Sequence, residues 1–167
     1  IVGASPAALA GAIAASAASR PLGAAAAFAD ALRLGLGSDA GFFRHLLYFA
    51  EAMALADWLR REKIGHVHAH FGTNSATVAM LAARINAASF SMTAHGPEEF
   101  DRAPKIALAE KIRRAAFVAA VSSFGRSQLR RLVETQHWDK IVIVPCGVDT
   151  AFHAGEPKPI AASNRFL

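Results

Sequence analysis

A chain of 167 residues has room for one domain of ordinary size, and 53% hydrophobic residues exclude a disordered or purely solvating segment. Because 39 of those residues are Ala, the larger apolar side chains must supply the core. Eighteen Lys and Arg against 13 Asp and Glu give a net charge of +5, which points to an anionic partner: nucleic acid, a membrane surface or a phosphorylated substrate.

The chain opens on Ile1 rather than Met, which reads as a piece of a longer protein. Residues 1–19 carry no charge, yet they lack a basic leader and consist of Ala, Ser and Gly rather than Leu, Ile and Phe. An Ala-rich helix packed on protein is expected there, not a signal peptide or a membrane span. Helices are expected over residues 7–19, 24–36 and 40–63, punctuated by Gly23, Gly35, Gly37 and Gly41. The third carries Phe42, Phe43, Leu46, Leu47, Phe49, Met53 and Trp58, interrupted by Arg44, Glu51, Asp57, Arg60 and Arg61. It is amphipathic; core packing is the simpler role for its Phe residues, and docking on anionic lipid the alternative.

After Gly65 short apolar runs alternate with helical patterns. Strands are expected over residues 66–69, 90–94, 117–121 and 140–144, the last closed by Pro145. Helices fall between them over 75–87, with Asn74 as N-cap, and over 104–115 and 123–134. Parallel pairing through right-handed crossovers gives a doubly wound α/β sheet with helices on both faces. In such a sheet ligands bind beyond the carboxyl ends of the strands, which predicts one crevice lined by His70, His95, Ser122 and Gly147. Residues 154–164, with Gly155, Pro157 and Pro159, read as a linker, and Arg165-Phe166-Leu167 as the start of another strand.

His66, His68 and His70 recur at a period of two, so a strand points all three the same way. Two His at that spacing can chelate a metal, but no Asp, Glu or Cys stands near in sequence to complete a set. Structural roles for His66 and His68, with His70 facing the crevice, are therefore expected, and no metal. His95 follows a strand and precedes Gly96 and Pro97, where an imidazole can bond a sugar hydroxyl or stabilise charge near a leaving phosphate. Glu98, Glu99 and Asp101 offer a general base or, equally, a solvated helix start. Ser122 and Ser123 suit an N-cap that also turns backbone N–H groups toward an anion. The lone Cys146 excludes an intramolecular disulfide, and no Walker sequence or nucleophile elbow is present.

The net charge is local. Residues 105–140 hold Lys105, Lys111, Arg113, Arg114, Arg126, Arg130, Arg131 and Lys140 against Glu110, Glu134 and Asp139 only. Most such Arg are solvated surface; the sharper reading makes Arg126, Arg130 and Arg131 a contact for phosphate or anionic lipid. No nucleic acid is expected, since aromatics are not interleaved with these bases.

Taken together, His68-Ala69-His70-Phe71-Gly72, the run from Ser91 through His95-Gly96-Pro97-Glu98-Glu99-Phe100-Asp101, Lys111-Ile112, Ala119-Ala120-Val121-Ser122 and Pro145-Cys146-Gly147-Val148-Asp149 carry a resemblance. They look like the N-terminal domain of glycosyltransferase family 4, the group 1 retaining enzymes of GT-B fold, in the exopolysaccharide and colanic-acid branch. The resemblance covers residues 46–152. It implies a Rossmann-like acceptor-side domain over residues 1–152, made of a helical lead-in (1–63) and an α/β part (64–152). Residues 153–167 would be linker and the start of a C-terminal donor domain. It also implies transfer from a nucleotide-sugar to a saccharide or lipid-linked acceptor in cell-surface polysaccharide synthesis, at the cytoplasmic face of a membrane. His95 maps to the family's strand-end histidine facing the transferred sugar, and His70, Phe71, Gly72, Asn74, Gly96, Glu98, Ser122 and Gly147 become substrate-binding candidates. The family's glycine-rich first loop is not found. Its basic pair and Glu-x7-Glu motif belong to the donor domain, so this part is expected to bind no cofactor and to be inactive alone. The rival reading is a non-catalytic Rossmann-like module for a phosphorylated ligand or protein partner.

Overall fold

In the computed structural model, residues 5–147 are described. The expected linker, the strand at Arg165-Phe166-Leu167, and Val148 and Asp149 of the resemblance lie outside them. Helix α1 (Pro6–Ser19) starts where the Ser5 side chain accepts the Ala8 N–H and Pro6 fills the first turn. Helix α2 (Pro21–Gly37) follows after Arg20, and α3 (Gly41–Arg61) after a short turn. Ala-rich sequence forms these helices readily and leaves little bulk, so backbones approach closely. Ala27 and Ala31 of α2 are fully buried. Gly23 sits so near that a Cβ there would lie 2.2 Å from the Ile85 carbonyl oxygen. Gly23 and Gly35 thus lie inside α2 as contact points rather than as helix breaks. The Ser16 hydroxyl donates to the Met53 carbonyl at 2.8 Å and ties α1 to α3, but Ser16 is the one buried residue of α1.

Strands β1 (His66–His70), β2 (Ser89–Ala94), β3 (Val118–Ala120) and β4 (Ile141–Ile143) form a parallel sheet in the order β1-β2-β3-β4. Between them lie α4 (Asn74–Asn86), α5 (Pro97–Asp101), α6 (Leu108–Arg114) and α7 (Ser123–Arg130). This is the expected Rossmann-like α/β class. Ala107 at φ 52° starts α6 late, so the helix expected from residue 104 is shorter, and α7 stops at Arg130. Thr73, not Asn74, occupies the N-cap position of α4.

Alternation along the strands divides the residues between two faces. Ala69, Phe90, Met92, Ala94, Val118, Ala120 and Ile141 pack with α4, α6 and α7 in the main core. A second core joins α2, α3 and α4. His66, His68, His70, Ser89, Ser91, Thr93 and Val142 lie on the other face, where the three histidines are exposed. Among the described residues the helical cover lies on the first face, and the expected second cover is not seen. The Phe-rich helix takes the expected core role in part: Met53 is buried and Phe49 packs against the second core, while Phe43 is 81% and Leu47 62% exposed.

Several cations of the basic segment are matched by partners elsewhere in the fold. Arg114 is clamped by Asp30 of α2, at 2.9 Å to Oδ1, and by Glu110 at 2.7 Å. Burial works to raise the Asp30 carboxyl, but bonding and charge from Arg114, with Arg33 and Arg84 behind, hold it below its ordinary value. Arg113 pairs with Glu134 at 3.0 Å, and Lys140 donates to the Arg113 and Ala115 carbonyls. Arg130 stacks 5.3 Å from the centroid of Trp138, Arg131 reaches Gln128, and Arg126 is half-buried.

Candidate active site

The open face of β1 is organised by its histidines. Parallel register sets His66 beside Ser89, His68 beside Ser91 and His70 beside Thr93. The His66 Nδ1 and Nε2 meet the hydroxyls of Ser89 and Ser91 at 2.8 and 2.7 Å. Those of His68 meet Ser91 and Thr93 at 2.7 and 2.9 Å. Both rings stack on Phe117, at 5.9 and 5.8 Å. Burial, then the neighbouring His70 and His66, push the His68 imidazole below its ordinary pKa, so its neutral form is favoured. With these ring nitrogens engaged by hydroxyls, His66 and His68 hold the structural role expected of them.

His70 ends β1, and its Nδ1 lies 3.1 Å from Nε2 of His95 at the end of β2. Between two neutral imidazoles one nitrogen donates and the other accepts. The histidine that donates then keeps an acceptor nitrogen on its ring, and the one that accepts keeps an N–H. Whichever way the shared hydrogen runs, the pair presents one donor and one acceptor to a ligand, which suits adjacent hydroxyls of a sugar. Phe71 follows at φ 68°, half exposed, with its ring centroid 4.4 Å from that of His95. An aromatic face beside a polar pair can pack on the C–H face of a pyranose.

The pair is positioned by one buried carboxylate. Glu99, 4% exposed, accepts the backbone N–H of Gly72 through Oε1 and that of His95 through Oε2, the latter at 2.6 Å. Oε2 also receives the Gly96 N–H at 3.4 Å, half of a capping box at the start of α5. A single side chain therefore ties the loop after β1 to the loop after β2. Gly72 is required by crowding, since a Cβ there would lie 2.6 Å from Leu108 Cδ1 and 2.9 Å from Glu99 Oε1.

Beneath the same loop lies Lys111, 1% exposed, whose Nζ donates to the carbonyls of Gly72 at 2.8 Å and Thr73 at 2.7 Å. Burial drives its ammonium down to about 7, and the charge of Glu99 opposes that only in part. A neutral amine still has two N–H groups for these two carbonyls.

Thr73, Asn74 and Lys111 form one side of a cleft of about 480 Å³, whose other side comes from the α2–α3 turn and from Arg44, His45 and Tyr48 of α3. Arg102 also lines it, held by Asp39 at 3.0 Å.

The structure thus brings together His70, Phe71 and His95, with Gly72 and Gly96 joined to them through Glu99. Asn74 takes a bond from the Thr73 hydroxyl at 3.2 Å and faces the cleft. Ser122 is engaged in capping α7, its Oγ accepting the Gly125 N–H at 3.0 Å. Gly147 is exposed at the end of the described chain. Glu98, expected to touch substrate, is solvated and paired with Arg102 at 3.3 Å, while Glu99, its neighbour, is the buried one.

Lys111 was legible in sequence by a signal other than charge. Leu108, Lys111, Ile112 and Ala115 fall at i, i+3, i+4 and i+7, so the lysine occupies the buried stripe of α6. Arg44, His45 and Tyr48 had no such signal, because the cleft exists only once α3 packs beside α4.

The family model described as Glycosyltransferase Family 4 matches residues 12–152. A search of curated proteins finds no match to the chain.

Proposed function

The chain belongs to glycosyltransferase family 4, and from that premise we propose that it forms the acceptor side of a retaining enzyme that moves a sugar from a nucleotide-sugar donor. The acceptor is a saccharide, carried on a lipid, in the assembly of a cell-surface polysaccharide. A second α/β domain beyond residue 152 would hold the donor.

The His70–His95 pair is the observation that carries this reading. Its remaining donor and acceptor bind sugar hydroxyls, and Phe71 supplies an apolar wall beside them. Glu99 and Lys111 fix the two loops beforehand, so orienting the sugar costs little further ordering. His95 then sits where an N–H can stabilise charge developing at the transferred sugar, and no residue needs to act as an in-line base.

Incubating the complete protein with nucleotide-sugars and short or lipid-linked saccharide acceptors tests the proposal. A glycosidic product whose anomeric configuration by NMR matches that of the donor is expected. A product of inverted configuration would overturn retention, and the absence of transfer across the donor panel would overturn the enzymatic reading.

A further inference from the structure

The histidines at the edge of the sheet fall into two kinds. His66 and His68 have both ring nitrogens bonded to hydroxyls of β2. His70 and His95 have only each other: Nδ1 of the first faces Nε2 of the second at 3.1 Å, and among the described residues the other nitrogen of each ring has no hydrogen-bond partner. His70 is exposed and His95 half-buried, so a small ion reaches both from solvent. Spacing along β1 offers a metal no second type of ligand nearby, but pairing with β2 brings in an imidazole from 25 residues away.

The pair already has the dimensions of a chelate. Two imidazoles that hold Zn²⁺ at about 2.0–2.1 Å with a tetrahedral angle between them place the ligating nitrogens about 3.3 Å apart and the ring centroids about 5.2 Å apart. Here the nitrogens are 3.1 Å and the centroids 5.4 Å apart. Turning each ring about its own centroid brings both lone pairs onto one point without moving either strand. The strand ends are held beforehand, since Glu99 accepts the backbone N–H groups of Gly72 and His95. The hydrogen shared by the neutral pair shifts to the far nitrogen of the ring that carried it. His70 then keeps Nε2–H and His95 Nδ1–H, and coordination changes a tautomer without releasing a proton.

Imidazole nitrogens suit Zn²⁺, Cu²⁺ and Ni²⁺, whereas Mg²⁺ and Ca²⁺ take oxygen. Among the described residues no group of three or more His, Cys, Asp or Glu is placed to hold a metal. The pair therefore supplies two ligands and water the rest, which makes a reversible site rather than a built-in metal centre.

We infer that His70 and His95 form a two-imidazole site for a late first-row divalent cation such as Zn²⁺, and that the ion and the sugar exclude each other there. The site stands on the geometry of the pair alone; the exclusion rests on the proposed transfer. With the ion bound, the donor and acceptor that the pair offers to hydroxyls are both spent, so the cation is a reversible inhibitor.

Calorimetry of the complete protein with Zn²⁺ tests the site. Wild type should bind a Zn²⁺ ion whose affinity falls about tenfold or more in His70→Ala and in His95→Ala, thermal melts showing that both variants are folded. Excess Mg²⁺ should not displace it. His66→Ala, whose ring is held by hydroxyls, and Cys146→Ser, which removes the exposed thiol, should stay within about twofold of wild type. Cu²⁺ in place of Zn²⁺ should show hyperfine coupling to two imidazole nitrogens by electron paramagnetic resonance, reduced to one in either variant of the pair. Unchanged affinity in His70→Ala or His95→Ala, or an equal loss in His66→Ala or Cys146→Ser, overturns the site. For the exclusion, the Zn²⁺ concentration that halves wild-type sugar transfer should match the calorimetric Kd within about threefold, and EDTA should restore the rate. Zn²⁺ held at the pair with transfer undiminished overturns the exclusion. A protein that binds Zn²⁺ there and transfers no sugar in its absence removes the enzymatic reading and leaves the metal site standing.

Discussion

His70 Nδ1 and His95 Nε2 lie 3.1 Å apart although 25 residues separate them in the chain. Parallel pairing of β1 and β2 puts both at the same end of the sheet, and Glu99 accepts a backbone N–H from the loop on either side. The site is therefore two strand ends held by one carboxylate, and most of its behaviour follows from groups that touch no ligand.

Glu99→Gln keeps the shape but replaces one acceptor oxygen with a donor amide facing backbone N–H groups. A cost on the order of 1–3 kcal/mol is expected, concentrated in the two loops. Native-state hydrogen exchange should show the amides of Gly72 and His95 opening faster, with β3 and β4 unchanged. Unaltered exchange at both amides would contradict the clamp.

Gly72→Ala places a methyl group 2.6 Å from Leu108 Cδ1 and 2.9 Å from the Glu99 carboxylate. Overpacking of about 1–3 kcal/mol is expected and should lower the thermal midpoint. The same substitution at Gly37, where a Cβ meets nothing within 4 Å, serves as the control. Equal effects at the two positions would remove the crowding argument.

Lys111 has its folded pKa depressed by burial to about 7, well below its ordinary 10.5. Between those values the unfolded chain binds a proton that the folded chain does not, so stability rises with pH across that window. It is lost again as pH falls through the folded value. The slope is about 1.4 kcal/mol per pH unit. Urea titrations at about pH 7.5 and about pH 9.5 should show wild type gaining on Lys111→Met as pH rises. A gap that stays constant would mean the ammonium is not buried in this way.

How far the sequence reveals such features depends on whether they arise from local pattern or from packing. Short apolar runs alternating with helical patterns after Gly65 point to the parallel sheet, and the strand-end positions of His70 and His95 mark the two crevice residues that the fold brings together. Ser122 caps α7 as its place before that helix suggests, whereas Glu98 meets solvent, because burial separates Glu98 from Glu99 and spacing along the chain does not. The charge count misled for a similar reason. Arg114 belongs to a segment of net positive charge, but its partner Asp30 stands 84 residues away on α2.

That ion pair gives a further test. Arg114, with Arg33 and Arg84, outweighs burial and holds the Asp30 carboxyl below its ordinary 3.8. Its contribution is present above that value and lost as pH falls through the lowered folded one. Asp30→Asn should cost about 1–3 kcal/mol at neutral pH. The gap to wild type should narrow in urea titrations near about pH 3. A gap unchanged by acid would show that the carboxylate charge is not what joins α2 to α6.

The central claim is that His95 meets the sugar. The most direct measurement is the rate of sugar transfer by the complete protein, wild type against His95→Ala, with thermal melts confirming that both are folded. A fall of about 10²-fold or more is expected, since a positioned imidazole is lost from the reacting centre. A rate within about twofold of wild type would reduce His95 to a strand-end residue that shapes the loop, and would contradict the assignment.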